Sequence, residues 1–216
     1  YDRLCQNVVI FALSITGGLV IYIIRCVQLQ VMLSYLATHL VIKPPVSTHQ
    51  YMDKTKILFI CLGNICRSPA ANGVMEKMVA DQGLQHQFYI DSAGIGHWHV
   101  GELPDARMRK HGRMRGYNFG HHARQFDASV DFDAFDYIVT MDDDNYRAIT
   151  RMADSDADRR KVVRMTQFLA NHPHATSVPD PYYGGDRDFE LALDLIEDGC
   201  ATLLAQLRTT DKDKQK

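Results

Sequence analysis

An α/β fold, built as an open four-stranded parallel sheet with helices on both faces, is predicted for residues 55–207 on three observations. Short apolar runs alternate with amphipathic stretches along this part of the chain, the order that places strands side by side through helical crossovers. Each run is too short for a helix. The whole chain, at 216 residues with 46% apolar and 23% charged side chains, has the composition of a globular domain with room for one additional segment.

The elements follow in order. Residues 1–43 form an apolar amino-terminal segment and are expected to be helical, because VVIFALSITGGLVIYII at residues 8–24 carries no charge. That run lies at the lower edge of what spans a bilayer. Three readings compete for it: a membrane anchor, a buried helical hairpin, and sequence upstream of the working protein, since Met52 resembles a natural start. Arg25 and Lys43 against the lone Arg3 favour a cytoplasmic catalytic part if it is an anchor. Pro44 and Pro45 end any helix, and 44–54 reads as a linker.

Ile57–Ile60 is the first strand, and Pro69–Asp81 a helix whose Ala70, Val74, Met78 and Val79 recur near helical spacing before Gly83. Phe88–Ile90 gives the second strand, Leu103–Lys110 a helix, Asp136–Thr140 the third strand, Asp143–Met152 a helix and Lys161–Arg164 the fourth strand. Asp188–Leu207 closes the domain as a long helix with Phe189, Leu191, Ala192, Leu195, Ile196, Leu203 and Leu204 on one broad face. The charged segment 208–216 is expected as a disordered tail.

Charge and cysteine usage exclude several functions. A net charge of −2 gives no basic excess to meet a phosphate backbone, so nucleic acid is not the expected partner. Cys5, Cys26, Cys61, Cys66 and Cys200 are too few and too scattered for a secreted disulfide framework and supply no paired Cys-x-x-Cys zinc site, which fits a reducing compartment. Asp154, Asp156 and Asp158 imitate the start of a calcium loop, but Arg159 and Met165 stand where glycine and glutamate are needed, leaving an acidic turn. The paired histidines lack a third ligand, so no metal is predicted.

Chemistry concentrates in CLGNICRSP, residues 61–69, directly after the first strand. Ligands of open parallel sheets bind at the carboxyl ends of strands, where Cys61 falls. With Pro69 at the first helical position, the loop turns its amides and the helix amino end inward as a concave anion site. Gly63 permits tight curvature, and Asn64 tolerates the left-handed conformation while bonding nearby backbone. A thiol in that ring is expected to ionise readily and act as a nucleophile. Arg67 offers a planar fork matched to two phosphoryl oxygens. Ser68 can donate to the sulfur. The reaction these residues fit is transfer of a phosphoryl group to sulfur and then to water, without a metal or other cofactor.

The loop ICLGNICRSP resembles that of the low-molecular-weight protein-tyrosine phosphatases. The resemblance continues through DSAGIG (91–96), HHARQF (121–126), FDYIVTMD (135–142) and DPYYGG (180–185), the last of bacterial character. It implies the flavodoxin-like phosphatase fold, with Cys61 as nucleophile, Arg67 as phosphate clamp and Asp180 as general acid. A carboxylic acid at the cleft rim suits that role in its own right, because an aryl oxygen leaves more easily when protonated. The resemblance places Leu62, Gly63, Asn64, Ile65, Cys66 and Ser68 around the substrate, with Trp98, Tyr182 and Tyr183 as aromatic walls. It makes Asn64, Ser68 and Ser92 supports of the loop and leaves the role of His121 open. Trp98 has a second reading as a partly buried loop anchor. Cys66 reads either as a small core-facing residue or, as the resemblance implies, as a disulfide partner that protects Cys61.

Tyrosine-phosphorylated proteins are the implied partners, and by family analogy a bacterial tyrosine autokinase supplies them. Two other functions share parts of this pattern. A thiol-based arsenate reductase would need relay cysteines, and none lies between Arg67 and Gly199. An inactive phosphotyrosine-binding module would keep Arg67 and dispense with Cys61 or Asp180.

Overall fold

The computed structural model describes residues 54–214. The apolar segment 1–43, its membrane reading at 8–24 and nearly all of the linker lie outside these residues. Among the described residues, no helix is long and apolar enough to cross a membrane.

Alternation of side chains along the first strand organises the core. In β1 (Thr55–Cys61) Ile57, Phe59 and Cys61 point to one face while Leu58 and Ile60 point to the other. A strand apolar on both sides must lie inside a sheet covered on both faces. It does: β1 pairs in parallel with β2 (Phe88–Gly94) and with β3 (Tyr137–Thr140), and β3 pairs in parallel with β4 (Val162–Arg164). The strand order is β2-β1-β3-β4. The chain leaves β1 toward one neighbour and later returns to the other, so the end of β1 is the switch point where such sheets open a ligand crevice.

Helices α1 (Arg67–Asp81) and α6 (Asp186–Lys214) cover the Ile57 and Phe59 face through Ala70, Val74, Met75, Phe189, Leu193 and Ile196. The Leu58 and Ile60 face is covered by α3 (Ala128–Ala134) and α4 (Asp143–Arg151), through Phe132 and Ile149. The remaining described helices are α2 (Ala106–Met114), α5 (Asp156–Lys161) and a 3-10 turn at Met165–Phe168.

Several boundaries depart from expectation. Helix α1 starts at Arg67, so Pro69 occupies its third position, where an N–H would also lack an intrahelical partner. Helix α2 starts three residues later than predicted because Asp105 caps it, accepting from Arg107 N at 2.8 Å. The acidic stretch read as a turn is helix α5: Ser155 caps it, Asp156 and Asp158 fill its first turn, and Arg159 to Lys161 fill its last, complementing the dipole at both ends. In α6 Leu191 faces outward and Leu193 takes the core position. That helix also runs to Lys214, so residues 208–214, expected as a disordered tail, continue it.

Candidate active site

Cys61 ends β1, and the chain curls back on itself through residues 62–66 before entering α1. The sharp turn falls at Asn64, a non-glycine residue in the left-handed region with φ 56°. Its side-chain amide sustains that conformation. Nδ2 donates to Ser68 Oγ at 2.8 Å and to Ser92 Oγ at 2.9 Å, while Oδ1 accepts from Arg124 N at 2.9 Å. Gly94 makes room for the turn, since a Cβ there would stand 3.0 Å from both Asn64 N and Gly63 C. Gly63 serves differently from the curvature predicted for it: its bare Cα lets the His99 ring lie against the loop.

Ser68 Oγ lies 3.0 Å from Cys61 Sγ. Because Ser68 already accepts from Asn64, its own proton is free for the sulfur or for Ala93 O at 3.3 Å. The amino end of α1 has no side-chain cap and no acid in its first turn. Every other described α-helix carries an Asp or Ser cap or a first-turn acid. Left without a carboxylate of its own, the positive end of the α1 dipole faces the loop.

Arg67 is buried at 2% exposure and reaches between two carboxylates. Nη1 donates to Asp142 Oδ2 at 2.6 Å and to Val178 O at 3.1 Å, and Nη2 donates to Asp180 Oδ2 at 2.6 Å. Its Nε is buried without a hydrogen-bond partner. Burial works against the guanidinium charge, but the Cys61 sulfur and the two carboxylates outweigh it and hold the pKa above the ordinary arginine value. Asp142 is fixed in turn as the cap of α4, accepting from Asn145 N at 2.7 Å.

A cleft of about 320 Å³ opens over the loop, lined by Cys61, Leu62, Gly63, Ile65, Cys66, Trp98, His99, Asp180, Tyr182 and Tyr183. Trp98 is 62% exposed, lies across Gly96 and stacks on His97 with centroids 5.9 Å apart, so it forms a wall of the cleft and not the buried anchor of its second reading. Tyr183 is 96% exposed and packs edge-on against Tyr182 at 4.9 Å. Cys66 is buried with a free thiol, and burial first, then the charge of Asp105, pushes its pKa up.

The family model for low molecular weight phosphotyrosine protein phosphatase matches residues 56–215. The chain belongs to the low-molecular-weight protein-tyrosine phosphatase family. Its relatives include the low-molecular-weight protein-tyrosine-phosphatase YfkJ of Bacillus subtilis, 40% identical over 160 residues, covering 74% of this chain and 97% of that one. A low-molecular-weight protein-tyrosine-phosphatase of Streptomyces coelicolor is 40% identical over 158 residues, covering 71% and 93%. Among solved structures, a protein tyrosine phosphatase from Entamoeba histolytica superposes with a TM-score of 0.70 at 41% identity, covering 73% of this chain and 99% of that one.

As a member of this phosphatase family, the chain brings every residue predicted from 61 to 68 into one loop, with Asp180, Trp98, Tyr182 and Tyr183 around its mouth and Ser92 behind it. Three participants escaped the sequence reading. Asp142 sits just past the carboxyl end of β3, beside the crevice, and also caps the following helix. His99 lines the cleft, with Nδ1 2.7 Å from Glu102 Oε2. Arg124 bonds the Asn64 amide from the far side of β2. On and just after α2, Lys110, His111 and Arg115 meet Asp186, Glu190, Asp194 and Glu197 of α6.

Proposed function

We propose that this chain hydrolyses phosphotyrosine in proteins through a cysteinyl-phosphate intermediate. Cys61 Sγ attacks phosphorus in line with the ester oxygen, which leaves as the tyrosine phenol with a proton from Asp180. The carboxylate of Asp180 then takes a proton from water as that water attacks phosphorus, releasing phosphate and the thiolate. Ser68 Oγ, 3.0 Å from the sulfur, donates its proton to a hydrogen bond that stabilises the departing thiolate.

The observation that carries this reading is the placement of Asp180 and Cys61 in one cleft with Arg67 bonded to Asp180. A tetrahedral dianion held by the loop amides would take the free Arg67 Nε and compete with Asp180 for Nη2. Substrate entry thus frees the carboxyl group to face the leaving oxygen. Asp142 keeps the guanidinium plane fixed during that exchange. Asn64, Ser68 and Ser92 hold the loop, while Leu62, Ile65, Trp98, Tyr182 and Tyr183 receive the aromatic ring.

The free thiols of Cys61, Cys66 and Cys200 support action in a reducing compartment such as the cytoplasm. The bacterial character of DPYYGG supports a tyrosine autokinase as the source of substrate, and the uncharged run 8–24 supports a membrane attachment beside its reading as sequence upstream of the working protein. Cys200 is fully buried against Ala71 O, which disfavours a thiol relay and hence arsenate reduction. Phosphate release from a phosphotyrosine peptide and from para-nitrophenyl phosphate, with and without chelator, tests the assignment. Metal-independent turnover is expected. Binding without turnover would instead mark a recognition module, and loss on chelation would overturn the mechanism.

A further inference from the structure

Arg124 lies outside the cleft yet is linked to both ends of the amide that shapes the loop, directly at Asn64 Oδ1 and through Asp91 and Ser92 at Nδ2. Its own N–H donates to Asn64 Oδ1 at 2.9 Å. Its Nε donates to Asp91 Oδ2 at 2.9 Å. The other oxygen of that carboxylate accepts from Ser92 N at 2.7 Å, and Ser92 Oγ accepts from Asn64 Nδ2 at 2.9 Å. The hydrogen bonds therefore close a ring that runs from Arg124 through Asn64, Ser92 and Asp91 back to Arg124.

Two further contacts fix the arginine. Nη1 donates to the buried Asp131 Oδ2 at 3.0 Å, and the Arg124 carbonyl accepts from Gly94 N at 2.8 Å. Asp131 Oδ2 also accepts from Asp127 N, tying the guanidinium to the first turn of α3. His121 stands 3.6 Å from Asp91 and adds a second cationic neighbour when protonated. Asn64 has positive φ, a conformation that a non-glycine residue keeps only when its surroundings hold it. The ring supplies that hold, and Arg124 is the member that joins its two arms.

We propose that Arg124 is a positioning residue for the reaction: by gripping Asp91 while its own amide holds Asn64, it sets the shape of the anion loop without touching substrate. The proposal rests on the phosphatase reading. Loss of the guanidinium leaves the buried Asp131 without its cation and Asp91 with only His121 beside it, and frees the Ser92 arm, so that Asn64 relaxes and the loop amides diverge from the phosphoryl oxygens.

The test is a double-mutant cycle over Arg124→Ala, Asn64→Ala and the pair, reading kcat and the inhibition constant of inorganic phosphate. Arg124→Ala is expected to lower kcat and weaken phosphate, each by about tenfold, with Arg124→Lys recovering part of both. In the Asn64→Ala background the same substitution should change either quantity less than about twofold, because the route through Asn64 is already broken. Losses that multiply fully in that background, or unchanged phosphate inhibition in Arg124→Ala, would overturn the proposal. Should Arg124→Ala fail to fold, Arg124→Lys replaces it in the cycle under the same criterion. An inactive parent enzyme would instead count against the phosphatase reading itself.

Discussion

Of the arginines that grip carboxylates, Arg67 and Arg115 each hold more than one, and of these two only Arg67 lies at the cleft. Arg115 spends all of its nitrogens on α6: Nε and Nη2 bond Glu190, Nη2 also bonds Asp194 at 2.8 Å, and Nη1 lies 3.3 Å from Glu197. Burial opposes its charge and the carboxylates more than restore it, as at Arg67. The difference is what remains unspent. Arg67 keeps a buried Nε without a partner and shares Nη2 with a carboxylate in an open cleft, whereas every nitrogen of Arg115 has a carboxylate beside it. A complete ion-pair network staples helices together; an incomplete one, next to a nucleophile, is a place for an anion.

The largest expected effect comes from removing the nucleophile beside the incomplete network. Cys61→Ser should abolish turnover while phosphate still competes for the loop, and residual steady-state hydrolysis would point to another nucleophile. Arg67→Lys keeps the charge and discards the fork, so kcat should fall about a hundred- to a thousandfold; a mild loss would erase the contrast with Arg115. Asp180→Asn should slow phosphotyrosine about a hundredfold and activated phenyl phosphates less, since only poor leaving groups need the proton. Equal slowing across leaving groups would remove Asp180 as the acid.

The smallest effect belongs to the complete network. Arg115→Ala should leave kcat/KM within about twofold, with a stability loss of about 1 kcal/mol by thermal denaturation. A pH series sharpens it. Hydrogen bonds from Arg115, then from His111, hold the Glu190 pKa below the usual carboxylate range. The stability this supplies is present above the unfolded pKa and is lost as pH falls through the depressed folded value. Arg115→Ala should flatten that acid-side slope of melting temperature, and an unchanged slope would show the pair to be inert.

Local features of the fold were legible because they leave local traces. The apolar runs of β1 and β3, the Cys61 to Pro69 loop and the Asp180 turn each declare themselves within a few neighbouring residues. Helix α5 did not, because it buries no residue and so shows no apolar face to read. Asp142 and Arg124 were missed for another reason. Asp142 meets Arg67 across 75 positions, and Arg124 meets Asn64 across 60, and no periodicity reports a hydrogen bond at that range. The Asn64 turn was anticipated from its residue type, while the ring that keeps it there emerged only once β2 and the 121–126 segment were placed together.

The strand that ends in Cys61 is flanked on both edges and fully covered at Ile57 to Ile60. Its amides should exchange with deuterium only when the whole domain opens, whereas the segments bearing Trp98 and Tyr183 stand largely in water. A lineage can therefore rewrite the rim to suit new protein targets while the sulfur stays bolted to the least yielding part of the frame.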